Sequence, residues 1–174
     1  NYETNKKTDL LVNNFKWKSN KWLSSLGMEN YLEGLVKNVN YNAKNSDEYK
    51  NDKDNIELHS AVGFFSKFSL YKKDLINKSL ERLTPKFLLR YAPGHMRNIE
   101  SGKLNYGNLF NLNKVSEIDV IEPGLSTSIG FEYKENNLNE ANIIGEEKIS
   151  FSVGQVISLK ENMDVPASSS LDQH

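Results

Sequence analysis

Residues 56–70 read IELHSAVGFFSKFSL, and every second position is apolar or a small hydroxyl: Ile56, Leu58, Ser60, Val62, Phe64, Ser66, Phe68 and Leu70. Between them stand Glu57, His59, Ala61, Gly63, Phe65, Lys67 and Ser69. Successive side chains of an extended chain point to opposite sides, so this period of two predicts a pleated strand with one greasy and one mostly polar face. At roughly 3.3 Å per residue the strand would reach about 50 Å, far beyond the usual five or six residues. A membrane-spanning or very large barrel needs strands of that length.

Five other stretches carry the same pattern. The expected strands are 8–18, 21–41, 56–71, 85–92, 118–134 and 146–160, followed by a loop-like tail at 161–174. In the first, Leu10 and Val12 fall on one parity and Phe15 and Trp17 on the other, which a bulge at Asn13-Asn14 would explain. The fifth alternates most cleanly, with Leu125, Thr127, Ile129, Phe131 and Tyr133 against Ser126, Ser128, Gly130 and Glu132. Connections alternate between shorter ones, at Ser19-Asn20, 72–84 and 135–145, and longer ones, at 42–55, 93–117 and from Glu161 onward. Up-and-down barrels of the outer membrane have short turns on one rim and long loops on the other. The fold expected is therefore an all-β, antiparallel up-and-down meander of about six long strands, a fragment of a large transmembrane β-barrel. Six strands are too few to close such a barrel, since the smallest has eight.

Composition agrees with a wall rather than an enzyme. Only 37% of the 174 residues are hydrophobic, and the mean hydropathy is -0.63. With 22 basic and 23 acidic residues the net charge is -1, so no global field recruits nucleic acid. Cysteine is absent, which removes disulfides and thiolate metal sites. No run approaches the apolar length of a membrane helix. No signal-like segment opens at Asn1, so an exported chain would carry its targeting segment upstream.

The residues that invite chemistry have plainer readings. His59, His95 and His174 lack metal-ligand spacing. The run from Asn51 to Glu57 has the flavour of a calcium loop without its glycine and terminal glutamate, and reads as a solvated tip. Asp119 and Glu122 have no nucleophile partner and read as rim residues. No catalytic, cofactor-binding or metal-ligating residue is assigned, and no cofactor is expected. Trp17, Trp22, Tyr31, Tyr41, Tyr71, Tyr91 and Tyr133 are candidates for the aromatic girdles of a membrane barrel, or for core pairs of a soluble sandwich. On the barrel reading Ile56, Leu58, Val62, Phe64, Phe68, Leu70, Leu125, Ile129 and Phe131 face lipid. Glu57, His59, Lys67 and Glu132 then face the lumen.

Four blocks carry a resemblance: Leu83-Thr84-Pro85-Lys86-Phe87-Leu88-Leu89-Arg90-Tyr91-Ala92-Pro93; Asn108-Leu109-Phe110 with Asn113; Asp119-Val120-Ile121-Glu122; and Ser152-Val153-Gly154-Gln155. In order and spacing they resemble the central part of the C-terminal outer-membrane barrel domain of the LptD family. These are the lipopolysaccharide-assembly proteins of Gram-negative bacteria, also called organic solvent tolerance proteins. The resemblance implies a non-catalytic protein of the cell outer membrane that inserts lipopolysaccharide into the outer leaflet. It also implies an LptE-like lipoprotein plug, periplasmic bridge proteins reached through an N-terminal domain, and contact with outer-membrane lipid. The 93–117 loop, with His95, Arg97, Lys103 and Lys114, would face outward from the cell. Another outer-membrane barrel, such as a porin or uptake receptor, shares the same wall physics. A soluble all-β binding module of two packed sheets is a further alternative.

Overall fold

The computed structural model describes residues 5–47, 49–50, 53–97, 103–115, 117–139 and 143–159. The expected tail at 161–174, with His174, lies outside these residues, as do Asn51 and Asp52 of the calcium-like run. The described chain forms β1 (Lys7–Lys18), β2 (Trp22–Leu23), β3 (Glu29–Lys44), β4 (Asp54–Lys67), β5 (Leu70–Asp74), β6 (Ser79–Ala92), β7 (Gly124–Leu138) and β8 (Ile144–Ser158). All belong to one antiparallel sheet ordered β1-β3-β4-β6-β7-β8, with β2 beside β3 and β5 beside β6. The sheet curls like part of a barrel wall, and its edge strands β1 and β8 do not pair with each other. A second sheet, as a sandwich would require, is absent among the described residues.

The opening strand is interrupted where its neighbour lacks a donor. Lys67 pairs with Lys86 and Leu70 with Leu83, so the register is the same on both sides of Phe68-Ser69. Opposite Phe68 stands Pro85, whose carbonyl accepts a bond from the Phe68 amide at 3.1 Å. The reciprocal bond is impossible because proline has no N–H, and the ladder pauses there without changing faces.

Other boundaries depart from the sequence reading for local reasons. The stretch 21–41 is not one strand: at Ser24–Met28 the chain reverses, with the Gly27 amide donating to Ser24 O at 2.9 Å and Gly27 at φ 77. The strand expected at 85–92 begins instead at Ser79. Its turn is tightened by the Asp74 carboxylate, which accepts from the amides of Ile76 and Asn77 at 2.9 and 3.0 Å. Its first half escaped notice because Ser79, Glu81 and Arg82 dilute the apolar alternation. The strand expected at 118–134 starts at Gly124 and runs to Leu138, whereas Asp119, Val120, Ile121 and Glu122 are all buried in succession. Consecutive burial, in place of alternation, marks a segment packed on all sides. The bulge expected at Asn13-Asn14 is absent, since the β1–β3 register runs unbroken. Leu10 and Val12 turn inward to pack on Val39, Tyr41 and Ala43, which accounts for the change of parity. Irregularities fall instead between β7 and β8, around Asn136.

The turns at 19–28 and 75–78 and the ends of β7 and β8 at Leu138 and Ile144 lie on one rim, and the strand ends at Lys44, Asp54, Ala92 and Gly124 lie on the other. The described parts of the connection between β6 and β7, at 93–97, 103–115 and 117–123, fold back against the concave face. The core lies between sheet and loop, where Leu35, Ala61 and Ala92 meet Leu112 and Ile121. Met96, Val115 and Val120 form a second cluster within the loop itself.

Candidate functional site

The sheet has two faces of opposite character, and pairing carries each face coherently from strand to strand. On the convex face Trp17 aligns with Gly34 and Val62, Val62 with Tyr91, and Tyr91 with Leu125. This surface is apolar and open: Ile56 is 73% exposed, Leu58 70%, Val62 57%, Leu70 45% and Ile129 43%. Leu125 is exposed on the same face, while Phe64, Phe68 and Phe131 are half-buried among their neighbours. Phe15 and Leu11 extend it on β1, and Phe151 and Val153 on β8. A contiguous exposed apolar surface of this extent is far from what a water-facing wall presents.

The apolar band does not run square to the strands. On β1 it extends from Leu11 to Trp17, centred on Asn14, and along β8 from Ile149 to Leu159, one residue past the strand's end, centred on Gly154. Gly154 pairs with Gly130, Gly130 with Lys86, Lys86 with Lys67 and Lys67 with Glu29, while Asn14 pairs with Lys37. Projected onto β3, the two centres are therefore eight positions apart, at Lys37 and Glu29. At about 3.3 Å per residue this is a drift of about 26 Å across five strand spacings, or about 24 Å. The strands thus cross the band at about 45° from its normal, close to the tilt of roughly 35–45° that transmembrane barrels require.

The concave face is polar and paired. Glu57, His59, Lys67 and Glu132 all lie on it at intermediate exposure. Lys86 bonds Glu132 at 2.5 Å, Lys67 reaches Glu29 at 3.3 Å, and His59 Nε2 lies 3.4 Å from Glu57. Of the aromatic candidates, Tyr31 and Tyr41 point inward, Tyr41 donating to Glu57 at 3.0 Å and Tyr31 stacking on Phe65. Trp17, Trp22 and Tyr91 are exposed on the convex side.

The described residues of the connection between β6 and β7 lie against the sheet. Arg97 bonds Glu57 at 2.5 Å and also pairs with Asp119, so its charge is spent on the inner wall. Tyr49 donates to the same Asp119 at 2.5 Å, tying the two long connections together. Arg90, 1% exposed, donates to Leu112 O at 2.5 Å and to Glu122 O. Lys37 donates to Val120 O at 3.0 Å and Ser128 to Leu109 O at 2.7 Å. Lys114 is equally buried, and burial pushes its ammonium down to about 8, with Arg90 acting in the same direction and Glu122 against it. Asp119 and Glu122 are thus inner anchor residues of the loop, not members of an exposed rim.

Glycines on the wall make room for this loop. A Cβ at Gly63 would lie 2.6 Å from Leu112 Cδ2, so Leu112 fits only because that carbon is missing. Sequence reasoning missed the arrangement, although two signals were available. The loop carries Leu104, Leu109, Leu112, Val115, Val120 and Ile121, too apolar a set for a solvated tip, and Gly63, Gly130 and Gly154 all fall on the inward parity. Among the described residues no three His, Asp or Glu side chains gather into a metal cage.

Comparison with known families supplies one match. The family model of LPS transport system D matches residues 34–174, most of the chain. No curated protein matches it.

Proposed function

The chain belongs to the LptD family, whose members serve lipopolysaccharide transport at the Gram-negative outer membrane, and from that premise we propose that it forms part of the wall of the outer-membrane barrel that delivers lipopolysaccharide to the outer leaflet. The observation that carries this reading is the tilted apolar band on the convex face, backed by a polar, ion-paired concave face. In lipid only a closed barrel satisfies the backbone of strands, so the edges of β1 and β8 would be paired by further wall strands. Ile56, Leu58, Val62, Phe64, Phe68, Leu70, Leu125, Ile129 and Phe131 would then contact acyl chains. Glu57, His59, Lys67 and Glu132 would line the interior.

The long connections at 45–53 and 93–123 would occupy the cell-surface rim, with the latter turned inward. The polar interior is also the surface that an LptE-like lipoprotein would meet, and periplasmic bridge proteins would deliver cargo through a domain on the opposite side. The role is transport by positioning, without a bond-making step.

Depleting the full-length protein from a host that relies on it should remove newly made lipopolysaccharide from the cell surface. A photocrosslinking residue at Ser152, on the concave face of β8, should capture lipopolysaccharide during transport. Unchanged surface lipopolysaccharide on depletion would contradict the proposal.

A further inference from the structure

Between the concave face of β1–β3 and the inward loop lies a cavity of about 510 Å³, in the size range of ligand pockets. Lys16, Lys18, Glu33, Asn111 and Asn113 supply its polar lining, and Tyr31, Leu35 and Phe110 are among its apolar lining. Most of the polar groups are uncommitted. Among the described residues the side chains of Lys16, Glu33 and Asn111 make no hydrogen bond or ion pair, and the buried Oδ1 of Asn113 has no partner although its Nδ2 donates to Val120 O. Lys18 is held 3.6 Å over the Tyr31 ring, which fixes an ammonium beside the apolar wall.

The mixture decides the ligand class. A bare phosphate would be drawn to the two lysines but repelled by Glu33, and would leave both asparagine carbonyls without a donor. A hydrocarbon would leave the buried Oδ1 of Asn113 without a donor and strip water from Glu33 with nothing in return. Sugar hydroxyls both donate and accept, and the C–H face of a sugar ring packs on apolar walls. We propose that this cavity is a saccharide subsite, in which Glu33 and Asn113 Oδ1 accept from ring hydroxyls, Lys16 and Asn111 donate to ring oxygens, and Tyr31 and Phe110 flank the ring. In that role it would contact the sugar portion of the cargo, so the inference rests on the transport reading above.

The test uses the full-length protein purified with its natural partners. Delipidated oligosaccharide released from lipopolysaccharide by mild acid serves as one probe and inorganic phosphate as another. The oligosaccharide should bind, and Glu33→Gln or Asn111→Ala should weaken it about tenfold, as loss of one hydrogen bond to a charged or buried group does. Thr127→Ala, on the opposite, convex face between Leu89 and Ile157, should leave binding unchanged. Asn111 is an exposed loop residue, so its variant remains informative if the strand variant fails to fold. Absence of oligosaccharide binding, equal competition by phosphate, or wild-type affinity in both variants would overturn the subsite. A photocrosslinker in cells separates the two readings. Lipopolysaccharide adducts at Ser152 but not at Asn111 would reject the subsite while leaving transport intact, whereas adducts at neither position would count against transport itself.

Discussion

Lys114 shows most clearly how this wall holds its loop. The ammonium is 1% exposed and its strongest direct bond is a long one, 3.4 Å to Ser126 Oγ, so desolvation dominates and the folded value falls to about 8 from the usual 10.5. Between these values the unfolded chain binds more protons than the folded one, so stability rises with pH across that window and is lowest below pH 8. Lys114→Met should therefore match or exceed wild-type stability at pH 7, and its advantage should shrink as pH rises toward 10. Thermal unfolding of both proteins across that range checks this, and a constant difference would contradict it. Gly63 makes the opposite point, because its role is an empty space. Gly63→Val should expel Leu112 and cost about 1–3 kcal/mol, as overpacking does, and should raise protease cleavage within 103–115.

At the scale of the element, faces were more legible than ends. Period-two alternation placed Ile56, Leu58 and Val62 on one side and Glu57, His59 and Lys67 on the other, because side-chain direction is fixed by the extended backbone alone. Strand ends depended on single backbone events without periodicity: the reversal at Gly27, the missing donor of Pro85, and the Asp74 carboxylate that closes the turn before Ser79. The inward course of 93–123 was hidden for a different reason. Its partners, Arg90, Lys37 and Ser128, bind backbone carbonyls, and a carbonyl leaves no mark on sequence. These placements also refine how the faces should be probed. Ser128 is 1% exposed beneath the loop, so arginine there would disturb packing whatever lies inside the wall. Ser152, exposed on the concave side of β8, is the better counterpart to Ile129. Ile129→Arg should cost about 2–4 kcal/mol in a bilayer, as a cation near mid-membrane does, while Ser152→Arg should be nearly neutral. Refolding equilibria into lipid vesicles measure both, and equal penalties would reject the assignment of faces.

For the molecule as a whole, the inverted arrangement is the central result. A water-soluble sheet protein hides its apolar face, whereas this sheet exposes it and covers its polar face with a loop that brings its own small core. The band crosses the strands obliquely, so no single strand contains the tilt; it emerges only from the registers taken together. β8 offers the most direct test, because most of its residues are exposed on both faces and a probe there reports its medium rather than its packing. Residues 1–174 contain no cysteine, so a single cysteine introduced at each position from 149 to 157 is the one thiol this stretch of wall offers a spin label. In the full-length protein in a bilayer, labels at Ile149, Phe151, Val153 and Ile157 should be relaxed mainly by oxygen. Labels at Ser150, Ser152 and Val156 should be relaxed mainly by a water-soluble nickel chelate, giving a period of two. Equal accessibility to both reagents along the strand, or an alternation of the opposite phase, would contradict the account.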